Sequence, residues 1–132
     1  MKALILSLMI IVGFAGVIEA KVQKKETARV QIHKTKQLRQ SKIKVQFLEL
    51  IEDSRCPTDT ECIWAGNAKI RVKLTKNGRT ETTELDTMGD KKAVHFYGYS
   101  IMLTALTPEP ASNIRIDRNG YVATFEAVKL SR

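Results

Sequence analysis

Residues 69–86, KIRVKLTKNGRTETTELD, carry the reading on which the fold turns. Ile70, Val72 and Leu74 alternate with Lys69, Arg71 and Lys73, the period-two pattern of a strand with one face in a core and the other in water. Asn77-Gly78 follows, a pair suited to the positive φ angles of a two-residue hairpin turn. The polar return from Arg79 to Asp86 then reads as a strand at the exposed edge of a sheet.

The same period recurs on both sides of this hairpin. Toward the N-terminus, Ala28, Val30 and Ile32 alternate with Arg29, Gln31 and His33, and Ile43, Val45 and Phe47 alternate with Lys42, Lys44 and Gln46. Leu48, Leu50 and Ile51 break that rhythm and predict a bulge or a stretch buried on both faces. Toward the C-terminus, a loop over 88–92 leads into Tyr99, Ile101 and Leu103, alternating with Ser100, Met102 and Thr104. That strand ends at Pro108-Glu109-Pro110, because proline cannot donate to a ladder. A short strand over 114–117, a turn at Asn119-Gly120 and a long strand over 121–130 bring the total to about seven. Many short strands without intervening helices predict an all-β fold: a single antiparallel β-sandwich, immunoglobulin-like, with a small β-barrel as the alternative.

The first twenty residues, MKALILSLMIIVGFAGVIEA, have one early lysine and then an uncharged apolar run over 3–18. This is the layout of a signal peptide, with cleavage expected after Ala15 or Ala20, and the run is short of the ~20 residues that a membrane-crossing helix needs. The mature chain is therefore expected to carry no transmembrane span and to be exported, periplasmic or extracellular. The expected organisation is a signal peptide over 1–20, a basic segment with a candidate edge strand over 21–41, and the sandwich core over 42–132.

The net charge of +8 is unevenly placed. Residues 21–44 carry nine basic side chains, Lys21, Lys24, Lys25, Arg29, Lys34, Lys36, Arg39, Lys42 and Lys44, against the single acid Glu26, whereas residues 45–132 carry twelve of each sign. Such an asymmetry points to contact with an anionic envelope component, and the plainer reading is a solvated segment whose lysines protect a sheet edge. Nucleic acid is not expected as a partner, since the chain is expected to be exported and the segment has no aromatic residue to stack on bases.

The stretch DSRCPTDTECIWAGN, 53–67, holds both cysteines and the only tryptophan. Five residues separate Cys56 from Cys62, wider than a zinc knuckle, with only His33 and His95 to complete a site, and the spacing is not that of a thiol oxidoreductase. In an oxidising compartment the pair is read as a disulfide closing a small loop, a constraint of about 2 kcal/mol. Asp53 and Ser54 are expected to accept backbone hydrogen bonds, Pro57 to preset a turn and Gly66 to supply a positive φ. Trp64 is expected to pack its ring over the core beside the bridge, with a surface-binding aromatic as the alternative. Asp53, Asp59 and Glu61 lack the ordered spacing of a calcium loop, and His95, Tyr97 and Tyr99 read as strand residues rather than a copper site. No metal and no cofactor is expected.

The pattern Asp53-Ser54-Arg55-Cys56-Pro57, four residues, Cys62, one residue, Trp64-Ala65-Gly66 resembles a motif of small exported bacterial proteins, many of them lipoproteins. Tyr99, Ile101, Leu103, Pro108, Pro110 and Tyr121 resemble their C-terminal half, so the likeness covers roughly residues 42–130. It implies an exported β-rich fold and brings no activity with it. This chain departs from the lipoproteins in having no N-terminal cysteine.

No G-x-S-x-G elbow, phosphate-binding glycine loop or H-E-x-x-H pair is present. The leading expectation is a non-enzymatic binding or structural module at the envelope, whose stapled loop offers Arg55, Asp59, Glu61 and Trp64 to another envelope protein or an anionic component. One rival is a protease inhibitor that inserts Arg55 into a cleft. The other is a hydrolase with a site assembled from scattered residues.

Overall fold

A computed structural model describes residues 13, 15–18 and 24–131; most of the signal-peptide reading, and Lys21, lie outside the described residues. Eight strands are present: β1 (Lys25–Gln31), β2 (Thr35–Gln37), β3 (Lys44–Asp53), β4 (Ala68–Lys76), β5 (Arg79–Asp86), β6 (Ala93–Phe96), β7 (Tyr99–Thr107) and β8 (Val122–Lys129). They form two antiparallel four-stranded sheets, β1-β8-β7-β6 and β2-β3-β4-β5. No helix among the described residues is long and apolar enough to cross a membrane.

The layering is that of a sandwich, while the connections follow a meander. Within each sheet successive strands pair, β2 to β5 in one and β6 to β8 in the other, and β1 pairs with β8 over its whole length. The ring of strands is interrupted twice, between β1 and β2 and between β5 and β6, and these two open sides make it a sandwich and not a closed barrel. Alternate residues fill the space between the sheets. Val45, Phe47, Ile70, Val72, Leu74 and Leu85 face Ala28, Val30, Ile101, Leu103, Ala123 and Phe125, all buried. Truncating a buried phenylalanine such as Phe47 or Phe125 costs ~3–5 kcal/mol in comparable cores.

The 69–86 hairpin forms with the expected turn, φ being 52° at Asn77 and 74° at Gly78, and β5 lies at a sheet edge. The irregular stretch after Phe47 becomes two register shifts against β4, between Phe47 and Glu49 and between Leu50 and Glu52. The expected strands change in three places. Residues 114–117 form no strand: they lie in the β7–β8 connection, and Ile114 is exposed. β2 has only three residues, all exposed, and so carries no alternation to detect. The segment around His95 to Tyr99 is no single strand, because the chain reverses at Tyr97-Gly98, with φ of 48° and 75°. His95 and Met102 consequently share the outer face of the β6–β7 pair, where Ala93 opposes Met102 and His95 opposes Ser100.

The connections 32–34, 54–67, 87–92 and 108–120 gather at one pole, since β3, β5 and β7 end there and β4 and β8 begin there. The hairpin turns at 77–78 and 97–98 lie at the opposite pole.

Candidate functional site

The β3–β4 connection contains the disulfide, Cys56 to Cys62, with an S–S distance of 2.12 Å. Its two arms pair as a frayed extension of the β3–β4 ladder. Ser54 N donates to Asn67 O at 2.7 Å, Cys56 N donates to Ala65 O at 3.1 Å, and Ser54 Oγ accepts from Asn67 N at 3.2 Å. Gly66 is required by this close approach: its φ is +73° and a Cβ would lie 1.9 Å from Ser54 O. The turn preset by Pro57 forms, with Thr60 N donating to Pro57 O at 3.1 Å.

Arg55 fastens the loop to the opposite sheet. Asp53 and Arg55 are two residues apart in extended chain and so lie on one side of it. The guanidinium meets the carboxylate with both arms, Nε to Oδ1 at 2.8 Å and Nη2 to Oδ2 at 2.9 Å. It also donates to Leu106 O at 2.6 Å and Pro108 O at 3.1 Å, at the end of β7. Tyr121, leading into β8, donates its hydroxyl to Asp53 Oδ2 at 3.0 Å. The side chains of Arg55 and Asp53 are only 9% and 13% exposed, so the pair is a largely buried, bidentate clasp between sheets.

Burial pushes the Asp53 carboxyl up, but the hydrogen bonds and charge of Arg55, together with the Tyr121 hydroxyl, outweigh it and hold the group below its ordinary value. Burial likewise disfavours the charged form of Arg55, and Asp53 more than compensates, so its value is raised. Tyr121 is raised by burial and by the carboxylate that accepts its proton.

Two further latches hold the pole together. Thr58 N donates to Pro110 O at 2.8 Å, and the Asp59 carboxylate accepts from Ser112 N at 2.9 Å and from the Ser112 hydroxyl. The bonds from Ser112 lower the Asp59 value. On the other side, Asn67 donates Nδ2 to Asp86 Oδ1 at 3.0 Å, and its Oδ1 accepts from Met88 N at 3.0 Å and Gly89 N at 3.2 Å.

The sequence-predicted loop residues therefore divide. Arg55 points inward, its side chain 9% exposed, with four guanidinium hydrogen bonds to acceptors at the ends of β3 and β7, and so is not offered to solvent. Asp53 and Asp59 turn to different partners rather than converging with Glu61. Trp64 does not pack on the core: it is 80% exposed, next to Ile63 at 92%, because the disulfide and the latches draw the root of the loop onto the sheets and leave its crest outside. Glu61 is exposed beside them. Sequence reasoning missed the inter-sheet role of Arg55 and the parts played by Asn67 and Tyr121. The i, i+2 spacing of Asp53 and Arg55 is the one local signal for the clasp.

Eight of the nine basic residues, Lys24, Lys25, Arg29, Lys34, Lys36, Arg39, Lys42 and Lys44, are described, and all are exposed. They surround β1, β2 and the start of β3.

No family model, curated protein or solved structure matches the chain.

Proposed function

We propose that this protein is an exported β-sandwich that binds a component of the cell envelope through the crest of its stapled loop, as a binding module rather than an enzyme. The observation that carries this reading is the exposure of Ile63 and Trp64, 92% and 80%, on a loop whose root is tied to both sheets. Two large apolar side chains held in water lose hydration cost when a partner covers them. A loop already fixed by a disulfide and a buried clasp gives up little conformational freedom on binding, and tryptophan is the residue type most enriched at the energetic centres of interfaces. The disulfide is compatible with the oxidising side of a membrane, as the apolar leader over 3–18 suggests.

Trp64 is the only tryptophan, so intrinsic fluorescence reports on the crest alone. Titration with a panel of envelope glycans, lipid vesicles and purified envelope proteins should give, in at least one arm, a saturable blue shift that is abolished by Ile63→Ser. No shift and no calorimetric binding across all three classes would sink the reading.

A further inference from the structure

The two open sides of the sandwich differ in charge. β1 and β2 contact each other across one of them, each as the edge strand of its sheet. This side carries eight described basic residues over 24–44, with one acid. At the other, residues 79–96 hold three basic and four acidic side chains.

The basic side is also uncompensated. Its lone acid, Glu26, is turned to the backbone, where its carboxylate accepts from the amides of Arg39 and Gln40. Among the described residues only Lys25 of the basic set forms an ion pair, with Glu126 at 3.3 Å. Glu49, the acid nearest in β3, is taken by Arg71 of β4. The charge therefore projects into solvent.

Its shape selects the kind of anion. Lys25 and Arg29 alternate with the buried Ala28 and Val30 and so stand on the outer face of one sheet. Lys44 stands on the outer face of the other, and Lys34 and Lys36 lie on the edge between them. The neighbouring cavity of about 450 Å3, lined by Ile32, Leu50, Tyr121 and their neighbours, takes in none of these cations. A linear polyanion is normally tracked by a charged groove, whereas a convex ridge of mostly lysine point charges matches an extended anionic plane.

We propose that the β1–β2 side docks on an anionic lipid surface. The attraction is electrostatic and independent of the loop crest, so it stands or falls separately from the function proposed above.

The protein, purified with the N-terminus the cell leaves on it, would be co-sedimented with equimolar phosphatidylglycerol–phosphatidylcholine vesicles and with phosphatidylcholine vesicles. The salt series should take the Debye length from about 30 to about 3 Å. The comparison variant is Lys24→Gln/Lys34→Gln/Lys36→Gln/Lys44→Gln, at exposed positions where the fold should be unaffected. Binding is expected to anionic vesicles only, to vanish at high salt, and to weaken roughly a hundredfold or more in the variant, at about fivefold per lysine. Trp64→Ala should leave it intact. Equal binding by the variant, binding to neutral vesicles, or no vesicle binding at all would each overturn the proposal, as would displacement by soluble polyphosphate at concentrations that merely match the lipid phosphate.

Discussion

The loop between β3 and β4 has a root and a crest that treat their side chains in opposite ways. At the root, a guanidinium with a permanent charge is 9% exposed, while at the crest an indole is 80% exposed. Hydrophobicity alone would assign them the other way round. The difference lies in what surrounds each residue: Arg55 is aimed at a carboxylate and two strand-end carbonyls, while Trp64 follows the short Cys56–Cys62 ring on a stretch exposed together with Ile63. A buried charge is tolerated when a counter-charge and hydrogen-bond acceptors meet it, and an exposed aromatic persists when its loop cannot fold back.

The largest effect expected from this contrast is at the root. Arg55→Ala leaves Asp53 partly buried without its ion-pair partner and two carbonyls without donors, so stability should fall by about 3 kcal/mol. The apparent melting temperature in a thermal scan should drop by about 10 °C or more. A loss under ~1 kcal/mol would mean that the clasp is dispensable.

Next in size is the staple. Cys56→Ala/Cys62→Ala removes a constraint on a seven-residue ring, and urea unfolding should show a loss of about 2 kcal/mol. The root hydrogen bonds should survive. Hydrogen exchange at the amides of Cys56 and Thr58 would therefore accelerate less than at the crest in this variant, and the order would reverse in Arg55→Ala.

The Asp53 clasp also predicts an acid dependence. Its folded value lies below the ordinary one, so the stabilisation is fully present above the unfolded value, about pH 4, and is lost as pH falls through the depressed folded value. Asp53→Asn should flatten this part of the stability profile without abolishing it, since Asp59 is lowered as well. An unchanged slope would contradict the assignment.

The smallest effect belongs to the crest. Trp64→Ala should alter stability by less than ~0.5 kcal/mol, because the ring contributes almost no buried area. A loss of 2 kcal/mol or more by urea unfolding would place the ring on the core after all.

The same division explains what could be read from the sequence. The β4–β5 hairpin, the bulged β3 and the long β8 announce themselves because alternation and the Asn-Gly turn are local signals. β6 and β7 were harder to separate, since their turn uses Tyr97 where an asparagine or glycine is usual. The loop's staple was legible from cysteine spacing, but the clasp joins Asp53 to Tyr121 across 68 positions, and Arg55 to β7 across more than 50. Such contacts depend on which strand ends meet at one pole, and that is a property of the assembled sheets. Trp64 escapes a sequence reading for the related reason that a large aromatic ordinarily finds the core, whereas here it stands just beyond the Cys56–Cys62 ring, 80% exposed.

The most direct measurement is collisional quenching of the single tryptophan in the native protein. An exposed crest predicts emission at the wavelength of indole in water and acrylamide quenching close to that of a free tryptophan derivative, in the wild type and unchanged by moderate urea below the unfolding transition. A blue-shifted, protected emission that becomes quenchable only on unfolding would show that Trp64 is packed, and would remove the exposed crest on which the proposed binding function rests.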